Sequence, residues 1–131
     1  MFCLDTNIII DFLRGNKNII KKIKKYFDLN ISFSITSLCI CELYKGAYKS
    51  SKTKKNIQKI KSAVSNLEIL DFNEIAYNIY GKSFVHLSKI GKRTNEIDLM
   101  IASICIANNK ILVTRNKKHF ENIPDLKLES W

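Results

Sequence analysis

Short runs of apolar residues, too short to be helices, recur between longer segments in which apolar side chains return every three to four positions. That alternation restricts the chain to strands separated by helices. The first unit sets the pattern: Met1 to Leu4 is an apolar run that meets Asp5-Thr6-Asn7 and passes into Ile8 to Leu13, closed by Arg14-Gly15. It reads as a buried strand, a turn and a helix, with Asp5 at the strand's carboxyl end. Further strands are expected at 31–35, 68–72, 111–114 and 126–129. Helices are expected at 18–27, 37–49, 53–66, 73–90 and 97–109, with Thr36 or Ser37 capping the second of these. Parallel strands need a crossover connection, so strands alternating with helices give an α/β fold with a parallel sheet covered on both faces. No repeat, low-complexity tract or proline-rich linker interrupts it, and 131 residues with 46% apolar content suit a single domain over residues 1–131.

Two helices carry further information. In residues 37–49 the spacing places Ile40, Cys41, Leu43, Tyr44, Ala47 and Tyr48 on an apolar face, with Glu42, Lys45 and Lys49 on the opposite side. The segment 97–109 is apolar in every direction, so it is expected to be enclosed by the rest of the fold with Asp98 in its first turn.

The net charge of +10 points to a polyanionic partner, nucleic acid above all, although an anionic membrane surface would also satisfy it. No apolar run reaches the roughly 18 residues of a membrane span, and no basic segment leads into an apolar one at the start, so the expected setting is cytoplasmic, with no membrane partner. Cys3, Cys39, Cys41 and Cys105 are too dispersed for a zinc knuckle, and they read as buried, reduced thiols. With only His86 and His119 besides, any metal is expected to be held by oxygen, which suits Mg2+ or Mn2+.

Ligands in an open parallel sheet bind outside the carboxyl ends of the strands, where Asp5 and the segment Thr114 to Asn116 should lie. Taken singly, each acid has a plainer role: Asp5 as a helix N-cap, Asp98 as a complement to the helix dipole, Glu42 as a surface charge beside Lys45 and Lys49. Read together, Leu4-Asp5-Thr6-Asn7, Thr36 through Glu42-Leu43 with Gly46, Asp98-Leu99 with Ile101-Ala102, and Val113-Thr114-Arg115-Asn116 resemble the PIN-domain ribonucleases, specifically the VapC-type toxins of toxin–antitoxin pairs. The tail, Phe120 with Ile123-Pro124 and Leu126 to Trp131, resembles the family's usual ending.

The resemblance implies a PIN-like three-layer sandwich around a five-stranded parallel sheet, and a metal-dependent endoribonuclease acting on structured RNA such as tRNA or rRNA. Asp5, Glu42 and Asp98 take its catalytic positions: Asp5 and Asp98 anchor Mg2+ or Mn2+, and Glu42, reaching the ion directly or through water, orients or deprotonates the attacking water. Thr6, Asn7, Thr114 and Asn116 are supporting hydrogen-bond donors, and Lys45, Lys49, Arg115, Lys117 and Lys118 carry RNA phosphates. Many relatives have a fourth acid where this chain has Asn116 or His119, and neither histidine is given a part in the mechanism. The resemblance also implies a small VapB-type antitoxin and a homodimer. The alternatives are a stand-alone RNA-processing nuclease of the same fold, a noncatalytic nucleic-acid-binding module, and a phosphoacceptor domain using Asp5.

Overall fold

The computed structural model describes residues 1–131. Five parallel strands, β1 (Phe2–Leu4), β2 (Phe33–Thr36), β3 (Glu68–Leu70), β4 (Ile111–Val113) and β5 (Lys127–Glu129), lie in the order β3-β2-β1-β4-β5. Helices α1 (Thr6–Leu13), α2 (Lys17–Asp28), α3 (Ser37–Lys49), α4 (Thr53–Val64), α5 (Glu74–Lys89) and α6 (Glu96–Ala107) make the crossovers and flank the sheet. A 3-10 turn, Lys117–His119, follows β4.

The chain builds outward from β1 through β2 to β3, then returns past its starting strand to lay down β4 and β5. The order therefore reverses between β1 and β4, and that reversal opens a crevice at their carboxyl ends. Register fixes what borders it. Leu4 pairs with Val113, so Asp5 and Thr114 are the residues that leave the sheet side by side. The backbone N–H of Asp5 donates to Val113 O at 3.0 Å, and that of Thr114 to Glu129 O at 3.0 Å.

Burial follows strand position. Phe2, Cys3, Leu4, Leu112 and Val113 are buried because β1 and β4 have neighbours on both sides. Helix α6 packs against α5, α3, β2 and β4, which accounts for its lack of a polar stripe: Leu99 and residues 101–105 are all buried. At the far end of the sheet, Trp131 stacks on Tyr26 with ring centroids 5.5 Å apart and meets Phe2 edge-on at 5.6 Å, fastening the tail to β1.

The elements match expectation, with displaced ends. The residues read as a turn after β1 are already helical, because Asp5 caps α1 directly and no turn intervenes. In α3 the buried line is Cys39, Leu43 and Ala47, whereas Cys41 and Tyr48 are exposed, Tyr48 at 71%. The helix turns its Cys39 side to the core because Thr36, buried in β2, caps it through a Cys39 N–H to Oγ1 bond of 3.1 Å, and that fixes its rotation. Cys41 is accordingly an exposed thiol, not a buried one.

Candidate active site

Asp5 is 6% exposed and spends both carboxylate oxygens on local structure. Oδ1 accepts the Thr6 N–H at 2.8 Å, capping α1, and Oδ2 accepts the Thr114 hydroxyl at 2.7 Å. The Thr114 hydroxyl is itself saturated. It donates its one proton to Asp5 and accepts from the Asn7 side-chain amide at 3.2 Å and the Asn116 backbone N–H at 3.0 Å. Asn7 closes the loop by accepting the Arg115 N–H on its Oδ1 at 3.2 Å. Thus α1 and the segment after β4 are tied to one another through Asp5, and the carboxylate cannot rotate freely.

Glu42 stands in the second turn of α3, half-buried, and its Oε1 accepts the Thr6 hydroxyl at 2.8 Å. Its face is not the solvated one that the helical pattern suggests, because α1 packs across α3 and covers it. Asp98 occupies the first turn of α6, whose N-cap Asn95 accepts the Ile97 and Asp98 N–H groups at 2.9 and 3.3 Å. The Asp98 carboxylate has one side-chain partner, the His119 ring, whose Nδ1 lies 3.4 Å from Oδ2. Burial raises the Asp98 pKa above the usual carboxylate value, and the charges of Asp5 and Glu42 raise it further, while His119 opposes them.

These side chains border one cleft of about 300 Å³, lined by Asp5, Thr6, Asn7, Glu42, Asn95, Asp98, Asn116 and His119. Ligand atoms of Asp5, Glu42 and Cys39 lie within 4.8 Å of one another. Cys39 is buried and does not line the cleft; its Sγ donates to Asp5 Oδ1 at 3.8 Å, and burial together with the neighbouring Asp5 charge pushes its thiol far above its ordinary pKa. Asp98 lies outside that tight set, on the His119 side of the cleft. Within the cleft, Asp5 and Glu42 lie at one pole and Asp98 with His119 at the other. Three carboxylates around one cleft, one of them raised in pKa by burial and by the charges of the other two, are a donor set that fits a hard divalent cation.

The supporting residues divide. Thr6, Asn7 and Thr114 hydrogen-bond through their side chains, whereas Asn116 contributes its backbone N–H and only lines the cleft. Arg115 is not a free cation, since its Nε pairs with buried Asp11 Oδ2 on α1 at 3.0 Å. Lys45 and Lys49 on α3, and Lys117 and Lys118 in the 3-10 turn, are exposed. Asn95 and Asp11 were not singled out by the sequence, and His119 was marked only as a position where many relatives carry an acid. Asn95 two residues before an apolar helix is a capping signal that could have been read.

The PIN domain family model matches residues 2–126. The chain belongs to the PIN-domain family. Within it, the chain is 35% identical over 131 residues to ribonuclease VapC2 of Rickettsia felis, covering 100% of this chain and 98% of that protein. It is 34% identical to the tRNA(fMet)-specific endonuclease VapC of Salmonella typhimurium, covering 99% and 97%. A solved structure of VapBC2 from Rickettsia felis bound to a promoter DNA fragment superimposes with a TM-score of 0.93 at 34% identity, over 99% of this chain and 98% of that one. This PIN-domain chain is therefore a VapC-type endoribonuclease, a metal-dependent hydrolase of the toxin–antitoxin group.

Proposed function

We propose that Asp5, Glu42 and Asp98 are the catalytic acids of this ribonuclease, and that Asp5 and Asp98 hold Mg2+ or Mn2+, with Glu42 reaching the ion directly or through water. The observation that carries this reading is the convergence of three carboxylates on one cleft, where Asp98 faces Asp5 and Glu42 and meets only the exposed His119 ring, at 3.4 Å. When bound, the cation polarises the scissile phosphate and offsets the charge that develops on it. Glu42, held by the Thr6 hydroxyl, orients the attacking water and accepts its proton. The water oxygen joins phosphorus as the bond to the leaving ribose oxygen breaks, and that oxygen takes a proton from solvent water. Thr114 and Thr6 fix the carboxylates so that little rearrangement accompanies the step.

A single PIN-like domain spanning residues 1–131 carries this chemistry, and its substrate is structured RNA of the tRNA or rRNA class. Lys45 and Lys49, on the same side of α3 as Glu42, and Lys117 and Lys118 beyond β4, take the phosphates flanking the cleft. The relatives solved as VapBC complexes support a small VapB-type antitoxin as partner, and a toxin homodimer belongs to the same proposal. Consistent with an antitoxin segment, an apolar groove formed by Ile10, Leu13, Leu43, Ala47 and Ile60 opens beside Glu42 between α1, α3 and α4, with Arg14 and Lys59 at its rim. None of the helices is long and apolar enough to cross a membrane.

The test incubates wild type and Asp5→Asn with structured RNAs, transfer RNA included, in Mg2+ or Mn2+ and then in chelator. Cleavage by wild type alone, abolished by chelator, is expected. Equal cleavage by both proteins, or indifference to chelator, removes the assignment, and RNA binding without cutting in every metal favours a binding module.

A further inference from the structure

We infer that His119 is a ligand of the catalytic cation, so that its Nδ1 and Asp98 Oδ2 form a mixed nitrogen and oxygen pole of the metal site. The inference rests on the metal centre proposed above and concerns the one imidazole that lines the cleft.

Three observations support it. The first is the spacing of His119 Nδ1 and Asp98 Oδ2, 3.4 Å apart, with no well-formed hydrogen bond between them. Two ligand atoms at right angles about an octahedral ion, each about 2.1 Å from it, lie about 3 Å apart. A small closing movement of the exposed ring brings the two atoms to that separation. The second is that the ring has a fixed base. The His119 carbonyl accepts the Thr94 hydroxyl at 3.1 Å, its N–H donates to Asn116 O at 3.0 Å, and the next residue, Phe120, is buried at 1% exposure. The imidazole, 60% exposed, is thus held at the cleft rim by its backbone and free at its tip. The third is that the Asp98 carboxylate has no other donor and Asp5 has none of its oxygens free of protein contacts, so an ion seated toward Asp98 needs a further neutral donor. A neutral imidazole supplies one without adding a negative charge to a cleft that already holds three carboxylates.

An imidazole donor in place of oxygen shifts a site from Mg2+ toward the first-row transition ions. The consequence is measurable without catalysis. Mn2+ titrated into the purified protein is followed by electron paramagnetic resonance, and electron spin-echo modulation reports nitrogen bound to the ion. The chain has two histidines, and His86 lies on α5 away from this cleft, so a nitrogen signal has one expected source.

The expected result is one bound Mn2+ with nitrogen modulation that persists in His86→Ala and disappears in His119→Ala and His119→Asp. Mn2+ affinity should fall by on the order of tenfold or more in His119→Ala, while Mg2+ affinity changes less. His119→Asp should bind both ions with a preference moved toward Mg2+. Mn2+ bound by wild type, lost in Asp5→Asn and Asp98→Asn but lacking nitrogen modulation, would overturn the ligand role of His119 and leave the carboxylate site standing. Absence of Mn2+ binding to wild type would overturn both.

Discussion

Thr114→Val replaces a buried hydroxyl by a methyl of the same shape and removes the one group that joins Asp5 to the segment after β4. The hydroxyl donates to an ionised, 6% exposed carboxylate at 2.7 Å, a bond worth about 1.5–3 kcal/mol. Its loss also strands the Asn116 N–H and the Asn7 amide, partly buried groups that recover some of their bonding from water. The extra methyl returns roughly 0.8 kcal/mol of burial, leaving a net cost of about 2–3 kcal/mol. At roughly 2.1 cal/mol/K of unfolding entropy per residue, that cost lowers Tm by about 10 °C. Denaturant and thermal unfolding of metal-free protein measure it, and Thr114→Ser serves as the control. Serine keeps all three bonds and loses only a buried methyl, so it should cost about 1 kcal/mol. Mn2+ affinity should fall in the valine variant and hold in the serine one, because only the former releases the Asp5 carboxylate. A valine variant within about 0.5 kcal/mol of wild type, or less stable serine than valine, would refute the claim that this hydroxyl holds Asp5.

Asp98 is raised above its ordinary pKa in the folded protein, so its charged form opposes folding; the penalty is absent below the ordinary carboxylate range near pH 4 and complete above the raised value. Metal-free Asp98→Asn should therefore be more stable than wild type at pH 7, with the advantage shrinking as pH falls toward 4, as followed by urea unfolding across pH. Saturating Mg2+ or Mn2+ should reverse the order, since wild type gains about 2.7 kcal/mol at one hundred times its Kd and the variant gains little. Arg115→Ala leaves Asp11 Oδ2 buried without its ionic partner and should cost about 1–2 kcal/mol, discounted for the half-exposed guanidinium; adding Asp11→Asn should recover part of that loss in the same unfolding assay. Lys45→Ala and Lys49→Ala should each weaken RNA binding without sequence preference and reduce the slope of log affinity against log salt by about 0.7, measured by anisotropy over a salt series in Asp5→Asn.

The sequence by itself determined the order of elements, because periodicity is a property of neighbouring residues. The helix predicted at 37–49 is the α3 observed, and the unstriped helix after Asn95 is enclosed as its composition requires. It also determined that Asp5 ends a strand, since an apolar run meeting Asp-Thr-Asn leaves little choice. Tertiary structure decided what lies across the cleft. Glu42 looked like a surface charge because its helix shows acid and lysines on one side, and only the packing of α1 over α3 makes it half-buried and bonded to Thr6. Arg115 looked like a phosphate ligand until the approach of α1 supplied Asp11, over a hundred positions earlier in the chain. The sequence marked His119 only as a departure from the family's acid, and its approach to Asp98 was not legible there because it is set by a hydrogen bond from Thr94 and by the seating of Phe120. Local periodicity specifies which face each element buries. Which two faces meet depends on strand order, and the reversal between β1 and β4 is what gathers residues 5, 42, 98 and 119 around a single cleft.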